Sequence, residues 1–201
     1  MEHSLSPIPA LEPVGSLGLA ARRVGRQWRC AQDGPNDRQH RDPRSPSGSR
    51  RKRGAQNQGL GRSRGGFTSK IHARTNGEGL PLGFVITPGE AHDATAYDAL
   101  MQTDDVRPKA LLGDKGYDSD AIREDSWFHG TDPVIPTKSN RKVQRPVDPV
   151  LYALRNRIER FFNHAKNSRR VATRYDKLIE SFAAFVLLAC IRIWIKFVHA
   201  T

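Results

Sequence analysis

Residues 151–166 read Leu-Tyr-Ala-Leu-Arg-Asn-Arg-Ile-Glu-Arg-Phe-Phe-Asn-His-Ala-Lys. Leu151, Leu154, Ile158, Phe161 and Ala165 recur at three and four residues, the core stripe of an amphipathic helix. Tyr152, Arg155, Glu159 and Lys166 recur at three, four and seven residues and share a second face, with Glu159 and Lys166 two turns, about 10 Å, apart. Most charged stripes of this kind are solvated, salt-bridged surfaces. Glu159, however, stands between Ile158 and Phe161–Phe162, at the core boundary, where an unpaired carboxylate is costly.

The helical pattern runs from about Pro149 to His199 in two pieces, with a break near Val171–Thr173. The second piece, Tyr175 to Val198, is apolar on most sides and is expected to be buried against the first. Upstream, Phe67, Ser69, Ile71 and Ala73 alternate with Thr68, Lys70, His72 and Arg74, the period of a half-buried strand. Asn76-Gly77 tolerates positive φ, and Leu80–Thr87 reads as a second strand, so the two form a hairpin. Ala94–Gln102 is a helix with Asp93 as its N-cap. Ala110–Gly113 is a short buried strand ended by Asp114, Ser119–Trp127 is helical, and Pro133–Thr137 is a further strand.

The 201 residues carry 33 Lys+Arg and 21 Asp+Glu, a net charge of +12 that is unevenly placed. Residues 1–66 contribute +8 and residues 67–201 contribute +4. The first stretch is rich in Arg, Pro, Gly and Ser and shows no apolar period, a composition that cannot offset chain entropy and is expected to be disordered. A basic arm suits a polyanionic partner, and a merely solvated tail accounts for composition alone equally well. Two cysteines, Cys30 and Cys190, exclude a disulfide framework and a Cys-rich zinc site and fit a reducing compartment. The run Phe182–Ile191 stops at Arg192, too short to span a bilayer, and Met1–Ala10 does not read as a signal peptide. The expected setting is therefore intracellular, with no membrane partner.

Tyr152-x2-Arg155-x3-Glu159-x6-Lys166 resembles, at every position, the signature of the DDE transposases of bacterial insertion sequences. Leu112-Gly113-Asp114-Lys115-Gly116-Tyr117-Asp118 looks like the block around that family's second catalytic aspartate. Gly61–Gly66 followed by Thr68-x-Lys70-Ile71-His72, and Pro88-Gly89-x-Ala91-His92-Asp93, are similar to its other recurrent blocks. The likeness covers about residues 52–201. It implies an α/β, RNase H-like mixed sheet with flanking helices, in which three carboxylates hold two divalent ions, Mg²⁺ or Mn²⁺, for phosphoryl transfer. By motif position Asp114 is the second acidic ligand and Glu159 the third; Arg155 and Lys166 contact DNA phosphate, and Tyr152 positions a base. For Asp114 alone the bland alternative is a turn carboxylate.

The departure is at the front. The family's first aspartate lies in a block reading Asp-Ser-Thr, two variable residues, then Arg-Ala-His, some twenty residues before Gly54, and this chain has no such block. Asp33, Asp37 and Asp42 are nearby, none in an apolar strand context. Reading the codons of Arg38–Pro46 one nucleotide later allows, with permitted wobble bases, Asp-Ser-Thr-Val-Ile-Arg-Ala-His-Gln, which is the missing block in the expected place. Residues 1–53 are thus expected to be a disordered basic leader in the wrong frame, with the join near Lys52, and residues 54–201 an incomplete RNase H-like catalytic domain. The sheet is expected to lack its central N-terminal strand, and the two-metal site to be incomplete.

The functional expectation is a transposase that cleaves and joins double-stranded DNA at element terminal repeats and target DNA, impaired in this chain. It would act as a homodimer on DNA in a bacterial cytoplasm, at the nucleoid. The alternative is a non-catalytic DNA-binding fragment with a regulatory role or none. An Arg/Gly-type RNA-binding protein, suggested by Gly61–Gly66, ranks last because it has no use for the Tyr152–Lys166 spacing.

Overall fold

The computed structural model describes residues 16–24, 59–63, 66–103 and 107–200. Its strands are β1 (Ser16–Val24), β2 (Gly61–Ser63), β3 (Gly66–Thr75), β4 (Pro81–Pro88), β5 (Ala110–Gly113) and β6 (Asp132–Val134). Its helices are α1 (Tyr97–Met101), α2 (Asp120–Phe128), α3 (Pro149–Ala153), α4 (Asn156–Lys166), α5 (Arg169–Ala172) and α6 (Ile179–Ala200). The strands lie in the order β4-β3-β1-β5-β6, with β2 a short antiparallel spur on the start of β3. β3 is antiparallel to both β4 and β1, while β1, β5 and β6 run parallel. The class is mixed α/β with flanking helices, as expected.

Alternate residues of the strands feed separate layers, because side chains in a strand point to opposite faces. Ile71 and Ala73 of β3 pack with Ile158, Phe161, Val171 and Phe182 from the C-terminal helices. Leu111 of β5 faces the other way, into a cluster with Tyr97, Leu100, Tyr117 and Ile122. Ala110 and Leu112 return to the first side, against Leu151, Tyr152 and Leu154.

The β3–β4 hairpin forms as expected, with register Ser69↔Pro88 to Arg74↔Gly83. Its turn is organised by Asn76, whose Oδ1 accepts from the amides of Glu78 and Leu80 at 3.0 and 2.9 Å. The positive φ falls on Gly79 rather than Gly77, at +87°. A Cβ at Gly79 would stand 3.0 Å from the Arg157 carbonyl oxygen, so this glycine also lets the turn approach α4.

Four expectations are corrected. The sheet does not lack its centre: β1, drawn from the basic leader, fills the place between β3 and β5. An empty place there would strand two rows of buried amides and carbonyls, and ladder bonds need only backbone, so a nine-residue Pro-free segment serves. The leader is therefore not wholly without structure; Asp37–Ser45, where the shifted frame places the family block, lies outside the described residues. Secondly, β3 is not half-buried. Thr68 to Thr75 are all buried, because the nominally polar face meets the α1 layer and finds partners there. Thirdly, Asp93 opens a 3₁₀ turn (Asp93–Ala96) before α1, with His92 at the N-cap and no side-chain cap bond. The Asp93 carboxylate turns instead to Lys70.

The last correction concerns the C-terminal helices. The region is four helices rather than two, and Leu154–Arg155 form a tightened turn between α3 and α4 through i→i+3 bonds such as Arg155 N to Tyr152 O at 3.0 Å. α6 buries Phe182, Val186, Ala189 and Cys190 but leaves Leu187, Leu188, Ile191, Ile195 and Val198 exposed, so it is covered on one side only. By length and composition α6 could cross a membrane, although its four buried residues belong to the core cluster shared with α4 and β3.

Candidate functional site

Asp114 follows β5 directly and stands at the N-cap of a 3₁₀ turn, Lys115–Tyr117, in extended conformation (φ −73°, ψ 160°). The turn closes by Tyr117 N donating to Asp114 O at 2.9 Å. This aims the Asp114 side chain off the carboxyl end of a parallel strand, where ligand sites of α/β sheets collect. Across from it, α3 and α4 present Tyr152, Arg155 and Glu159. Arg155 donates through Nη1 to Asp114 Oδ1 and through Nη2 to Glu159 Oε1, the latter at 2.6 Å. The guanidinium carbon also lies 5.4 Å from the centre of the Tyr152 ring. Four of the five expected site residues therefore meet at one point. Lys166 does not join them: it lies on the same face of α4, two turns beyond Glu159.

The electrostatics follow from this geometry. Burial pushes the Asp114 carboxyl above its ordinary value; Arg155 pulls it back by charge and hydrogen bond, and the Glu159 and Asp93 charges push the same way as burial. Desolvation, rather than repulsion between the carboxylates, is the leading cause. Burial works against charge on Arg155, yet the Asp114, Tyr152 and Glu159 oxygens more than offset it and hold the guanidinium above its ordinary value. Burial also raises the Tyr152 phenol.

The donor set bears on what ion could sit there. Two carboxylates on one guanidinium are hard oxygen donors already sharing a positive charge, which fits a single magnesium- or manganese-like cation. A third acidic ligand is missing: among the described residues no group of three or more His, Cys, Asp or Glu could hold a metal. β1 reads Ser-Leu-Gly-Leu-Ala-Ala-Arg-Arg-Val, without a carboxylate, and its register pairs Leu19 with Gly113, so that Ala20 is next in line beside Asp114. Asp118 is no substitute. It is held by Arg123 Nη2 at 2.9 Å, Arg141 Nε at 2.8 Å and the Lys138 amide at 2.9 Å. Burial opposes its charge, but these donors together keep its carboxyl below the ordinary range, the signature of a structural anchor.

The blocks around Lys70–His72 and Pro88–Asp93 are joined in the structure. Lys70 Nζ donates to Ala91 O at 2.6 Å and to Asp93 Oδ1 at 2.7 Å. A Cβ at Gly116 would stand 2.2 Å from Asp93 Oδ2, so a side chain there would push the Asp93 carboxylate from its place against the Asp114 turn. On the same face, His72 bonds Tyr117 Oη through Nδ1 at 3.0 Å and Thr87 Oγ1 through Nε2 at 2.8 Å. Burial lowers His72 to about 4, so it is a neutral strut. The only signal for this network in the sequence is the run of polar alternates Thr68, Lys70, His72 and Arg74, which is also the pattern of a solvent-facing strand side.

Comparison with known proteins agrees with the motif reading. A putative transposase for insertion sequence element IS6501 of Brucella ovis is 35% identical over 135 residues, covering 65% of this chain and all of that protein. A putative transposase for element IS402 of Burkholderia cepacia is 28% identical over 132 residues; there the match spans 61% of this chain and 60% of its relative. The Mos1 strand transfer complex aligns over 90% of this chain and 53% of that one at a TM-score of 0.36 and 10% identity, too remote to carry an argument. Residues 33–194 match the Transposase DDE domain family, and with that match spanning most of its length, this chain belongs to the family.

Proposed function

We propose that this chain is the RNase H-like core of an insertion-element transposase, with Asp114 and Glu159 as ligands for one divalent cation and Tyr152, Arg155 and Lys166 addressed to DNA. The observation that carries the reading is the single guanidinium bridging Asp114 and Glu159: two carboxylates far apart in sequence are brought to a point that already demands positive charge. A magnesium or manganese ion there would activate a water or 3′-hydroxyl and steady the leaving oxygen. The chain's own residues do the rest. Asp114 and Glu159 supply oxygen ligands, Arg155, once released from them, pairs with a backbone phosphate, and Tyr152 offers an aromatic face for a base. With no acid on β1, this chain offers no further carboxylate at the end of β5 that would help hold a second ion, so strand cleavage by it is expected to be weak.

The frame reading supports the same conclusion. A leader translated out of frame explains why the central strand carries no aspartate, and restoring the frame over Arg38–Pro46 returns Asp-Ser-Thr. The chain acts in the bacterial cytoplasm on double-stranded DNA, at element ends and target, as a homodimer. The second reading, a non-catalytic DNA-binding fragment, rests on the missing acid. The deciding experiment is magnesium-dependent nicking of end-containing DNA by this chain, by the frame-restored chain, and by the frame-restored chain with Glu159→Gln. Cleavage is expected only from the second. Robust cleavage by the third sinks the assignment of Glu159, and no cleavage by the second favours the binding fragment.

A further inference from the structure

α4 carries a second polar stripe that the reading above leaves unused. Arg157, Arg160 and His164 recur at three and four residues, rotated away from Glu159, and face Arg192 and Lys196, one turn apart on α6. Between the two helices and the β3–β4 turn lies a half-open cavity of about 290 Å³. Its interior is apolar, formed by Phe161, Ile193 and Phe197, and its one acidic side chain is Glu78 at the turn. Among the described residues, none of Arg157, Arg160, Arg192 and Lys196 has an ion-pair or side-chain hydrogen-bond partner. Four unpaired cations around one opening repel each other and weaken the fold, and a purely solvated basic face needs no apolar floor beneath it.

We infer that this cavity binds an unpaired nucleotide within a nucleic-acid strand, the base against Phe161, Ile193 and Phe197 and the flanking phosphates on the cationic rim. Arg157 and Arg160 on α4 and Arg192 and Lys196 on α6 put two cations on each side of the opening, which suits the two phosphates flanking one nucleotide better than one isolated anion. An apolar, partly aromatic floor under a basic rim is the combination that holds single strands, since every base has a π-face and every linkage a charge. A base stacked and paired inside a duplex has both faces covered by its neighbours and cannot lie against this floor, so the ligand is unpaired. The inference rests on the reading that the chain acts on DNA, but its site lies on another face of α4 and needs no metal.

The test is fluorescence anisotropy of the full chain in EDTA with three labelled probes: a single-stranded oligonucleotide, the same strand with a run of abasic positions, and a duplex. The single strand is expected to bind about tenfold more tightly than its abasic counterpart, the order of loss for one stacked base. Arg160→Gln with Arg192→Gln should weaken the intact single strand about tenfold and flatten its salt dependence by about 0.7 per lost phosphate contact. Ser168→Tyr fills the cavity without removing charge or any side-chain cap bond, and should abolish the preference for bases while sparing the abasic probe. Circular dichroism melts confirm that each variant is folded. Equal binding of intact and abasic strands, or a Ser168→Tyr chain that keeps the preference, overturns the proposal. Metal-dependent nicking reports on Asp114 and Glu159 separately, so the two readings fail independently.

Discussion

Replacing Arg155 with Gln takes away the cation shared by Asp114 and Glu159 and leaves two facing carboxylates. A buried charge-assisted hydrogen bond contributes about 1.5–3 kcal/mol, and an exposed i,i+4 pair about 0.3–0.5. The Asp114 bond, with its two side chains 22% and 29% exposed, is nearer the first case, and the Glu159 bond, at 46%, nearer the second. The net loss is about 1–2 kcal/mol, or a fall in Tm of about 2–8 °C in a domain of this size. Metal reverses the order. An ion held with a Kd of about 1 mM stabilises by about 1.4 kcal/mol at about 10 mM, a rise of roughly 3–6 °C. In the unsubstituted chain the ion must first displace Arg155, which weakens binding about 5- to 30-fold and keeps the rise under about 3 °C. The pH dependence has a definite sign. Burial holds Asp114 above its ordinary 3.8, so ionising it costs stability as pH climbs from 3.8 through the folded value, and the ion returns that cost only above this window. Thermal melts at neutral pH with and without MgCl2, on the native chain, Arg155→Gln and Arg155→Gln/Asp114→Asn, measure all of this. A magnesium shift as large in the native chain as in Arg155→Gln, or unchanged by Asp114→Asn, refutes the idea that guanidinium and metal share one place.

His72, buried and lowered to about 4 from 6.5, binds its proton more readily unfolded than folded, so stability present above pH 6.5 is lost as pH falls towards 4. A shift of this size removes about 2 kcal/mol by pH 5, and urea unfolding of His72→Gln should show a clearly smaller loss between pH 7 and pH 5. On α6, Phe182→Ala should cost about 3–5 kcal/mol because Phe182 is fully buried in the main core cluster. Leu188→Lys on the exposed side should stay within about 0.5 kcal/mol, and a large effect there would mean that the stripe is covered in solution.

What could be read from the residues and what could not divides along the range of the signal. The approach of Asp114 to Glu159 was legible through the family resemblance, carried by an apolar strand ending in an acid and by the Tyr152–Lys166 spacing, whereas Arg155, expected on DNA phosphate, donates instead to both carboxylates. The hairpin was legible from local signals, the alternation of Phe67–Arg74, the Asn76-Gly77 turn and the strand run Leu80–Thr87. Lys70, His72 and Asp93 were not, since polar residues at every second strand position describe a solvated face as well as one roofed by α1 and satisfied by Asp93, Tyr117 and Thr87. The exposed side of α6 was misread because hydrophobicity all round a helix normally means burial all round. Here α4 and β3 cover one side, and nothing among the described residues covers the other.

The central strand shows where composition misleads most. Residues 16–24 sit in a stretch whose Arg, Pro, Gly and Ser content argues against structure, yet β3 and β5 present two edges a strand apart, and main-chain donors and acceptors do not read side chains. A place in a sheet can thus be filled by any extended, proline-free segment, while a place in a metal site cannot. β1 satisfies the first demand and fails the second, because the pairing ends at Leu19 with Gly113 and the residue that follows Leu19 is Ala20. Fold and chemistry come apart at this one strand: β1 fills the place between β3 and β5, and among the described strands it brings no acid to the end of β5. Substituting Ala20→Asp addresses the chemistry without changing the strand that occupies the place, whereas restoring the frame over Arg38–Pro46 sets a second segment in competition with residues 16–24 for the same two edges. A frame-restored chain is therefore expected to gain activity only insofar as its Asp-Ser-Thr segment, rather than residues 16–24, takes the place between β3 and β5, and comparing it with Ala20→Asp separates the two demands.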